Sequence, residues 1–209
     1  DIKLDATGVE YLCGHIKVKT QIPGKFNVYN SLAAVAVGKK VGLSDEQISD
    51  GIAALDAVEG RMTRVKAGQD FEVIVDYAHA PDALEKVFQS VKGAKKQRVI
   101  AVHGGAGRRD PSTREMRGEI LGRESDVVII TEDDSRDEDP QEIAAEFVRG
   151  AEKAGKVREK DLFVELDRRE AIRKALGMAQ VGDLVLILGK GHEKTILRAD
   201  GAHEFEDIK

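Results

Sequence analysis

The stretch Leu184-Val185-Leu186-Ile187-Leu188-Gly189-Lys190-Gly191-His192-Glu193 joins an apolar run to a polar turn that two glycines bracket. The apolar half has the length and composition of a buried strand. Glycines at the carboxyl end of a strand let a ligand approach the backbone, and ligands of open parallel sheets bind at that end. Glycine-rich turns also follow strands that bind nothing, so this stretch alone leaves a site and a plain turn equally open.

The chain from Phe71 onward alternates short β-branched runs with amphipathic helical segments. The predicted strands are 71–75, 99–102, 127–130, 162–164 and 184–188, and the predicted helices are 81–91, 113–122, 140–154 and 170–178. This alternation is typical of βαβ crossovers and predicts an α/β fold with a doubly wound, mostly parallel sheet. Pro81 and Pro140 fit the first turn of a helix, where a missing N–H costs nothing.

The segment before residue 71 has a different pattern. Short strands are predicted within 1–20, an alanine-rich helix over 30–41, and a second helix after Ser44, which forms a capping-box pattern with Gln47. The helical pattern ends at Glu59-Gly60-Arg61, which predicts a domain boundary near Arg61–Val65. No start signal precedes the first strands, so we expect the chain to be part of a longer protein.

Composition argues against several classes of protein. A net charge of -5 disfavours general nucleic-acid binding, although basic residues beside the glycine-rich turns still permit a nucleotide. The single cysteine excludes an internal disulfide, and no apolar run approaches the roughly 18 residues of a membrane span. No signal peptide is recognisable. We therefore expect a cytoplasmic protein with small-molecule partners, and no nucleic-acid or membrane partner.

Four predicted strands end in polar residues. The turns that follow them are 76–82 (DYAHAPD), 103–110 (HGGAGRRD), 131–140 (TEDDSRDEDP) and 189–193 (GKGHE). Because the carboxyl ends of parallel strands lie along one edge of a sheet, we expect these four turns to form a single site.

The order of these motifs resembles the Mur ligase family. The resemblance covers essentially the whole chain and is carried by Gly60-Arg61-Met62, by 76–86, by Arg109-Asp110, by an Asp-x-x-Arg-x-Glu-Asp-Pro turn at 133–140, and by 189–193. Within the family, the pattern is most similar to the ligases that add a diamino acid to UDP-N-acetylmuramoyl-L-alanyl-D-glutamate in peptidoglycan synthesis.

The resemblance implies a three-domain enzyme, with a UDP-sugar domain, a central P-loop ATPase domain and a Rossmann-like C-terminal domain for the incoming amino acid. Residues 1–63 would be the tail of the central domain, and residues 64–209 the C-terminal domain. The substrates would be the UDP-linked dipeptide and a diamino acid, with ATP and Mg2+ as cofactors. The sequence contains no G-x-x-x-x-G-K-[ST] motif. We therefore expect this fragment alone to be inactive, and most Mg2+ ligands, like the missing domains, to lie outside it.

For the nucleotide, the resemblance implies contacts from Asn27 and Asn30 to adenine, from Arg61 to an ATP phosphate, and from Asp76 and His79 along the nucleotide. Three of these residues have structural alternatives. Asn27 could cap the alanine-rich helix, Arg61 could be a solvated linker residue, and Asp76 could cap the helix that follows it.

For the amino acid, the resemblance implies contacts from Arg109, Asp134, Arg136, Gly189 and Glu193. An arginine binds a carboxylate through paired hydrogen bonds, and a glutamate accepts hydrogen bonds from the ammonium group of a zwitterion. The alternative for both arginines and for Glu193 is a surface ion pair. No residue of this chain is expected to bind a metal.

The turn Asp133-Asp134-Ser135-Arg136 departs from the Asp-Asn-Pro-Arg signature of ligases that use diaminopimelate. Arg136 favours a substrate with a distal carboxylate, because an arginine would repel the bare ammonium of lysine. Asp134 argues instead for L-lysine, since it could neutralise Arg136 or bind a cation. We expect meso-diaminopimelate rather than L-lysine. Arg108 also stands where the family usually has an acid.

Two other functions stay open at this point. The chain could belong to another Mur-type or folylpolyglutamate-type ligase, or it could be a non-catalytic binding module that keeps the same fold. The combination of the 189–193 turn with the Asp-x-x-Arg turn argues against the first, and the missing P-loop permits the second.

Overall fold

The computed structural model describes residues 2–5, 8–22, 24–92 and 97–209. Residue contacts divide the chain into two compact units, one of Asp1–Val58 with Lys92–Ala94 and the other of Glu59–Val91 with Lys95–Lys209. Within the described residues, no helix combines the length and the apolar character that a membrane crossing requires.

The first unit packs two helices on a small antiparallel sheet. Its strands β1 (Ile2–Asp5), β2 (Gly8–Cys13) and β3 (Ile16–Thr20) lie in chain order, followed by α1 (Phe26–Lys40) and α2 (Asp45–Ala53). Alternate residues of β3 are buried, as expected for a strand with one face on a core. The core comprises Val9, Tyr11, Ile16, Val18, Val28, Val35 and Ile48.

The helix ends of this unit agree with the sequence in one case and correct it in the other. The predicted capping box of α2 is confirmed, because Gln47 N donates to Ser44 Oγ at 3.2 Å and Ser44 N to Gln47 Oε1 at 2.9 Å. Helix α1, however, begins at Phe26, with Lys25 at the cap position. Asn27 therefore lies inside the helix, and its interpretation as the helix cap is wrong.

The second unit is built on a six-stranded sheet, which confirms the predicted α/β fold. The strands β4 (Thr63–Val65), β5 (Glu72–Asp76), β6 (Val99–Gly105), β7 (Val127–Glu132), β8 (Leu162–Val164) and β9 (Leu184–Leu188) lie in the order β4-β5-β9-β6-β7-β8. All neighbouring pairs are parallel except β4 with β5. The helices are α3 (Pro81–Lys92), α4 (Ser112–Glu124), α5 (Pro140–Lys153) and α6 (Arg168–Met178), and the hairpin β10 (Thr195–Arg198) and β11 (Gly201–Glu204) follows β9.

Strand β9 occupies the centre of this sheet, between β5 and β6. Every residue of β6 and β9 is buried, which explains why, apart from His103, their side chains are apolar or small. Residues 61–65, which the sequence placed at the domain boundary, belong to the second unit, whose contacts begin at Glu59. The role of the first unit as the tail of a central ATPase domain stays a prediction.

Candidate functional site

Three of the four polar turns predicted from the sequence begin in the last residues of β5, β6 and β7, which extend further than expected, and the fourth follows β9. The register places Asp76, Leu188 and His103 side by side on adjacent strands, and pairs Gly105 with Glu132. Strand order also reverses here, because β9 separates β5 from β6. Such a switch point at the carboxyl edge is where open α/β sheets bind ligands.

Lys190 lies at the centre of a cluster that we call the lysine cage, formed with Asp133, Asp134 and Glu193. Its Nζ donates to Asp133 Oδ1 at 3.2 Å, to Asp134 Oδ1 at 2.8 Å and to Glu193 Oε2 at 2.9 Å, and the side chain is fully buried. Burial lowers the pKa of this ammonium, but the attraction of Asp133 and Asp134 outweighs it, and the net pKa is raised. Lys190 is charged and is shared by three acids.

The lysine cage does not fit a divalent metal while Lys190 is in place. One oxygen from each of Asp133, Asp134 and Glu193 lies within 4.8 Å of the others, a spacing that could hold a cation. The ammonium of Lys190 already bonds to all three carboxylates. These acids therefore provide no site for Mg2+.

The hairpin β10–β11 fixes the turn that carries Asp134 and Arg136. Leu197 N donates to Asp134 Oδ1 at 3.0 Å, and Arg136 N donates to Leu197 O at 2.9 Å. Arg136 has a φ of 54°, in the left-handed region that side chains other than glycine seldom adopt. Its guanidinium donates to Gly107 O and lies 3.7 Å from Asp134 Oδ2. Asp134 is thus bound mainly by Lys190 and a backbone amide.

Tyr77 lies between the predicted nucleotide residues and the predicted amino-acid residues. Its hydroxyl donates to Glu193 Oε1 at 3.3 Å, and the Arg61 guanidinium lies over its ring at 4.7 Å. The His79 ring meets the Tyr77 ring edge-on, with centroids 4.6 Å apart. Burial, followed by the Glu193 charge, raises the pKa of Tyr77. The neutral phenol thus acts as a donor to Glu193.

Asp76 holds two backbone segments rather than a helix end. Its buried carboxylate accepts from Met62 N at 2.7 Å and from Ala78 N at 2.8 Å. Burial raises its pKa despite these bonds and the nearby Arg61. Helix α3 begins only at Pro81, so the interpretation of Asp76 as its cap is wrong. Any nucleotide role of Asp76 stays a prediction.

A close backbone approach explains the glycine before Arg61. A Cβ on Gly60 would come within 2.1 Å of His192 N, and the φ of Gly60 is 69°. Gly60 O also accepts from Tyr77 N at 2.8 Å. The segment that carries Arg61 is therefore packed directly on the 189–193 turn.

Gly189 and Arg109 complete the predicted amino-acid group. Gly189 has a φ of 111°, and a Cβ there would meet His103 Nδ1 at 3.1 Å and Asp133 Oδ2 at 3.2 Å. Arg109 is exposed, its charge lowers the pKa of Tyr77, and within the described ranges no carboxylate forms an ion pair with it. The ion pair in this loop belongs to Arg108, whose guanidinium donates to Asp137 at 2.6 and 2.8 Å.

Asn27 and Asn30 lie together in the first unit. Asn30 Nδ2 donates to Asn27 Oδ1 at 2.9 Å, and Asn27 Nδ2 donates to Ile22 O at 3.4 Å. Both line a cavity of about 340 Å³ whose walls are otherwise mostly apolar, with Ile48 and Leu55 among them. A planar base with a polar edge would suit such a lining.

The structure thus groups Arg61, Asp76, His79, Arg109, Asp134, Arg136, Gly189 and Glu193 in the second unit, and Asn27 with Asn30 in the first. The sequence assigned no role to Lys190 or Tyr77. For Lys190, its position between two glycines at the end of a buried strand was a signal in the sequence that could have indicated a role. Nothing local indicated that Tyr77 would reach Glu193.

Comparisons with known proteins agree with this geometry. Residues 60–191 match the family model "Mur ligase, glutamate ligase domain". The UDP-N-acetylmuramoyl-L-alanyl-D-glutamate--2,6-diaminopimelate ligase of Syntrophomonas wolfei is 41% identical over 213 residues, which cover 100% of this chain and 43% of the relative. The UDP-N-acetylmuramyl-tripeptide synthetase of a Roseiflexus species is 45% identical over 184 residues, covering 88% of the chain and 36% of the relative.

A solved structure of a UDP-N-acetylmuramoyl-L-alanyl-D-glutamate--2,6-diaminopimelate ligase is also similar. It superposes with a TM-score of 0.67 at 31% identity, and the match covers 100% of this chain and 42% of that one. The chain therefore spans less than half the length of these relatives. Because the family model matches more than half of its residues, the chain belongs to the Mur ligase family.

Proposed function

We propose that this chain is part of an ATP-dependent amide ligase that adds meso-diaminopimelate, rather than L-lysine, to UDP-N-acetylmuramoyl-L-alanyl-D-glutamate. In this reaction the D-glutamyl carboxylate takes the γ-phosphoryl group of ATP, and an amino group of the diamino acid then displaces phosphate from the acyl carbon. The Syntrophomonas relative and the similar solved structure are both named 2,6-diaminopimelate ligases, which supports this substrate. The other domains would belong to the same polypeptide.

The observation that carries the proposal is that arginines and carboxylates occur together at one edge of the sheet. Arg109 and Arg136 can donate to carboxylates, and Glu193 can accept from an ammonium group. An amino acid brings both charges. Asp134 Oδ1 accepts from Lys190 and from Leu197 N, and its Oδ2 lies 3.7 Å from the Arg136 guanidinium, beyond hydrogen-bond distance. Arg136 consequently keeps donors for a distal carboxylate, which diaminopimelate has and lysine lacks.

For the nucleotide, we propose that Asn27 and Asn30 bind adenine and that Arg61 binds phosphate. Arg61 is exposed, and its guanidinium lies over the face of the Tyr77 ring, so it can reach an anion. Asp76 would contribute by holding the backbone at Met62, and His79 would flank the nucleotide. Mg2+ would be held by residues outside this chain, because the lysine cage does not fit it.

The test uses the complete ligase and measures phosphate release with the UDP-linked dipeptide and either diamino acid. Arg136→Ala should raise KM for meso-diaminopimelate about 10- to 150-fold, the equivalent of a lost charged hydrogen bond of about 1.5–3 kcal/mol. Glu193→Gln should act in the same direction. Arg173→Ala, which removes an exposed arginine of α6 paired with Glu170, serves as the control and should leave KM unchanged.

Two results would contradict the proposal at different levels. A wild-type enzyme that prefers L-lysine would refute the diaminopimelate assignment and identify Asp134 as the residue to re-examine. A complete protein that releases no phosphate with either diamino acid would refute the ligase itself. The fragment alone should release none, because it lacks the phosphate-binding loop.

A further inference from the structure

Arg117, on the inner face of α4, is a buried cation without an acidic partner. The residue is only 4% exposed, and among the described residues no carboxylate lies within ion-pair distance of it. Its Nη1 donates to the carbonyl oxygen of His79 at 3.0 Å and its Nε to that of Thr113 at 3.4 Å. The guanidinium lies over the Phe147 ring at 4.7 Å.

Two other buried arginines of the same unit differ from Arg117 in this respect. Arg114 is paired with Glu138 at 2.8 Å, and Arg168 with Asp207 at 2.7 Å. Burial, opposed by the more distant Asp133, lowers the pKa of Arg117 to about 10, so the side chain stays charged at neutral pH. An apolar side chain of similar length would avoid the desolvation of this charge. Of its two hydrogen bonds, the one to Thr113 O stays within α4, and the one to His79 O connects the helix to another segment.

The carbonyl of His79 connects Arg117 to the candidate site. His79 lies on the turn between β5 and α3, the same turn that carries Asp76 and Tyr77. Helix α4 follows the loop that carries Arg109. The bond from Arg117 to His79 O thus connects α4, which follows the loop with Arg109, to the turn whose residues are predicted to bind the nucleotide.

His103 shares the Phe147 ring with Arg117 but carries no charge. Its ring meets Phe147 edge-on at 5.5 Å, on the ring that Arg117 also contacts. Burial, followed by repulsion from Arg117, lowers the pKa of His103 to about 3. His103 is therefore neutral, and of these two side chains on the Phe147 ring only Arg117 is charged.

We propose that Arg117 is a positioning residue of the ligase, which holds the 76–80 turn in the geometry that binds the nucleotide without touching a substrate itself. This inference rests on the proposed function. Loss of the bond to His79 O should release that turn from α4. Of the residues predicted to bind the amino acid, Glu193 keeps its bond to Lys190 even if Tyr77 moves with the turn, and the β10 strand still holds Arg136.

The experiment compares Arg117→Met and Arg117→Lys in the complete ligase. Arg117→Met should raise KM for ATP about tenfold and change KM for the diamino acid by less than about twofold. Its Tm should stay the same or rise, because methionine fills the space without a buried charge. Arg117→Lys keeps a donor for His79 O and should recover part of the loss. Arg123→Met, an exposed arginine of the same helix, is the control.

Hydrogen exchange of residues 77–84 gives a second readout that needs no activity. The amides of this segment should exchange faster in Arg117→Met than in the wild type and in Arg123→Met. Unchanged exchange would overturn the positioning role even if the ligase proposal fails. Faster exchange with an unchanged KM for ATP would overturn the link between Arg117 and the nucleotide. A lower Tm together with equal increases in KM for ATP and for the diamino acid would overturn it as well.

Discussion

Replacing Lys190 with methionine tests the lysine cage most directly. Methionine has a similar length and no charge, so the variant removes the ammonium from three carboxylates and leaves the space filled. Lys190 is fully buried, and the side chains of Asp133 and Asp134 are 8% and 10% exposed. Glu193 is 34% exposed and can be hydrated once its partner is gone. The main loss therefore falls on the two aspartates.

The expected size of the effect follows from this burial. Removing one partner of a buried ion pair costs about 3–5 kcal/mol, whereas an exposed pair contributes about 0–1 kcal/mol. We expect the free energy of unfolding to fall by about 4 kcal/mol near neutral pH. With about 2–4 °C per kcal/mol for a unit of this size, Tm should fall by roughly 8–16 °C.

The pH dependence should differ between the wild type and the variant. Burial raises the pKa of Asp133, but Lys190 and Arg168 outweigh it, and the net pKa lies below 3.8. Asp133 therefore stabilises the wild type fully above about pH 3.8, and this contribution is lost as the pH falls through the pKa of Asp133 in the folded state. The pKa of Lys190 is raised above 10.5. Its contribution to stability is therefore fully present below pH 10.5 and is lost only as the pH rises through the pKa of the folded state. The cage thus stabilises the wild type equally at about pH 5 and about pH 7.

In the Lys190→Met variant the sign reverses. Without the ammonium, Asp133 loses the larger of the two charges that lower its pKa, and burial then shifts this pKa upward. The folded state then takes up protons as the pH falls, so the variant regains stability on acidification. The deficit relative to the wild type should be smaller at about pH 5 than at about pH 7.

Urea unfolding followed by circular dichroism measures this, since the chain has no tryptophan for fluorescence. Lys86→Met is the matched control, because Lys86 forms an exposed pair with Asp82 at 3.1 Å. That control should lose at most about 0.5 kcal/mol. If Lys190→Met behaves like Lys86→Met, or its deficit is the same at both pH values, the argument from burial is refuted.

Two further substitutions test other buried or capping contacts. Asp207→Asn leaves the fully buried Arg168 without its anion, and urea unfolding should show a loss of about 3–5 kcal/mol; a loss under about 1 kcal/mol would speak against a dry ion pair. Ser44→Ala removes the acceptor for Gln47 N and should destabilise α2 by about 0.5–2 kcal/mol, seen as faster hydrogen exchange there and not in α6. Equal exchange in α2 would show that the cap contributes nothing.

The central strands could be predicted because they are short buried runs, and several helices because a proline or a capping residue marks their start. Strand β4 and the hairpin β10–β11 were missed because they are short and mostly partly exposed, and they contain no apolar run like that of the equally short β8. Asp200-Gly201 was the one local hairpin signal. The start of α1 was also misplaced, because Lys25 makes no side-chain capping bond that would mark it.

The site could be predicted in its location but not in its internal contacts. Polar turns after parallel strands must share an edge, so their convergence follows from the fold class. The partners of Lys190 depend on strand order, because Asp133 precedes it by 57 residues. No local pattern showed that β9 would enter between β5 and β6. The sequence therefore left Asp134 as a partner for Arg136, for a cation or for the substrate, and did not reveal its bond to Lys190.

The central place of β9 also has a consequence for synthesis on the ribosome. Strands β5 and β6 both pair with β9 and not with each other, so an emerging chain that has reached only α6 leaves both edges unpaired. Unpaired strand edges invite association with other chains. Residues 184–188 close this gap only after β6, β7 and β8 have been synthesised, and until then the facing edges of β5 and β6 are open to pairing with other chains.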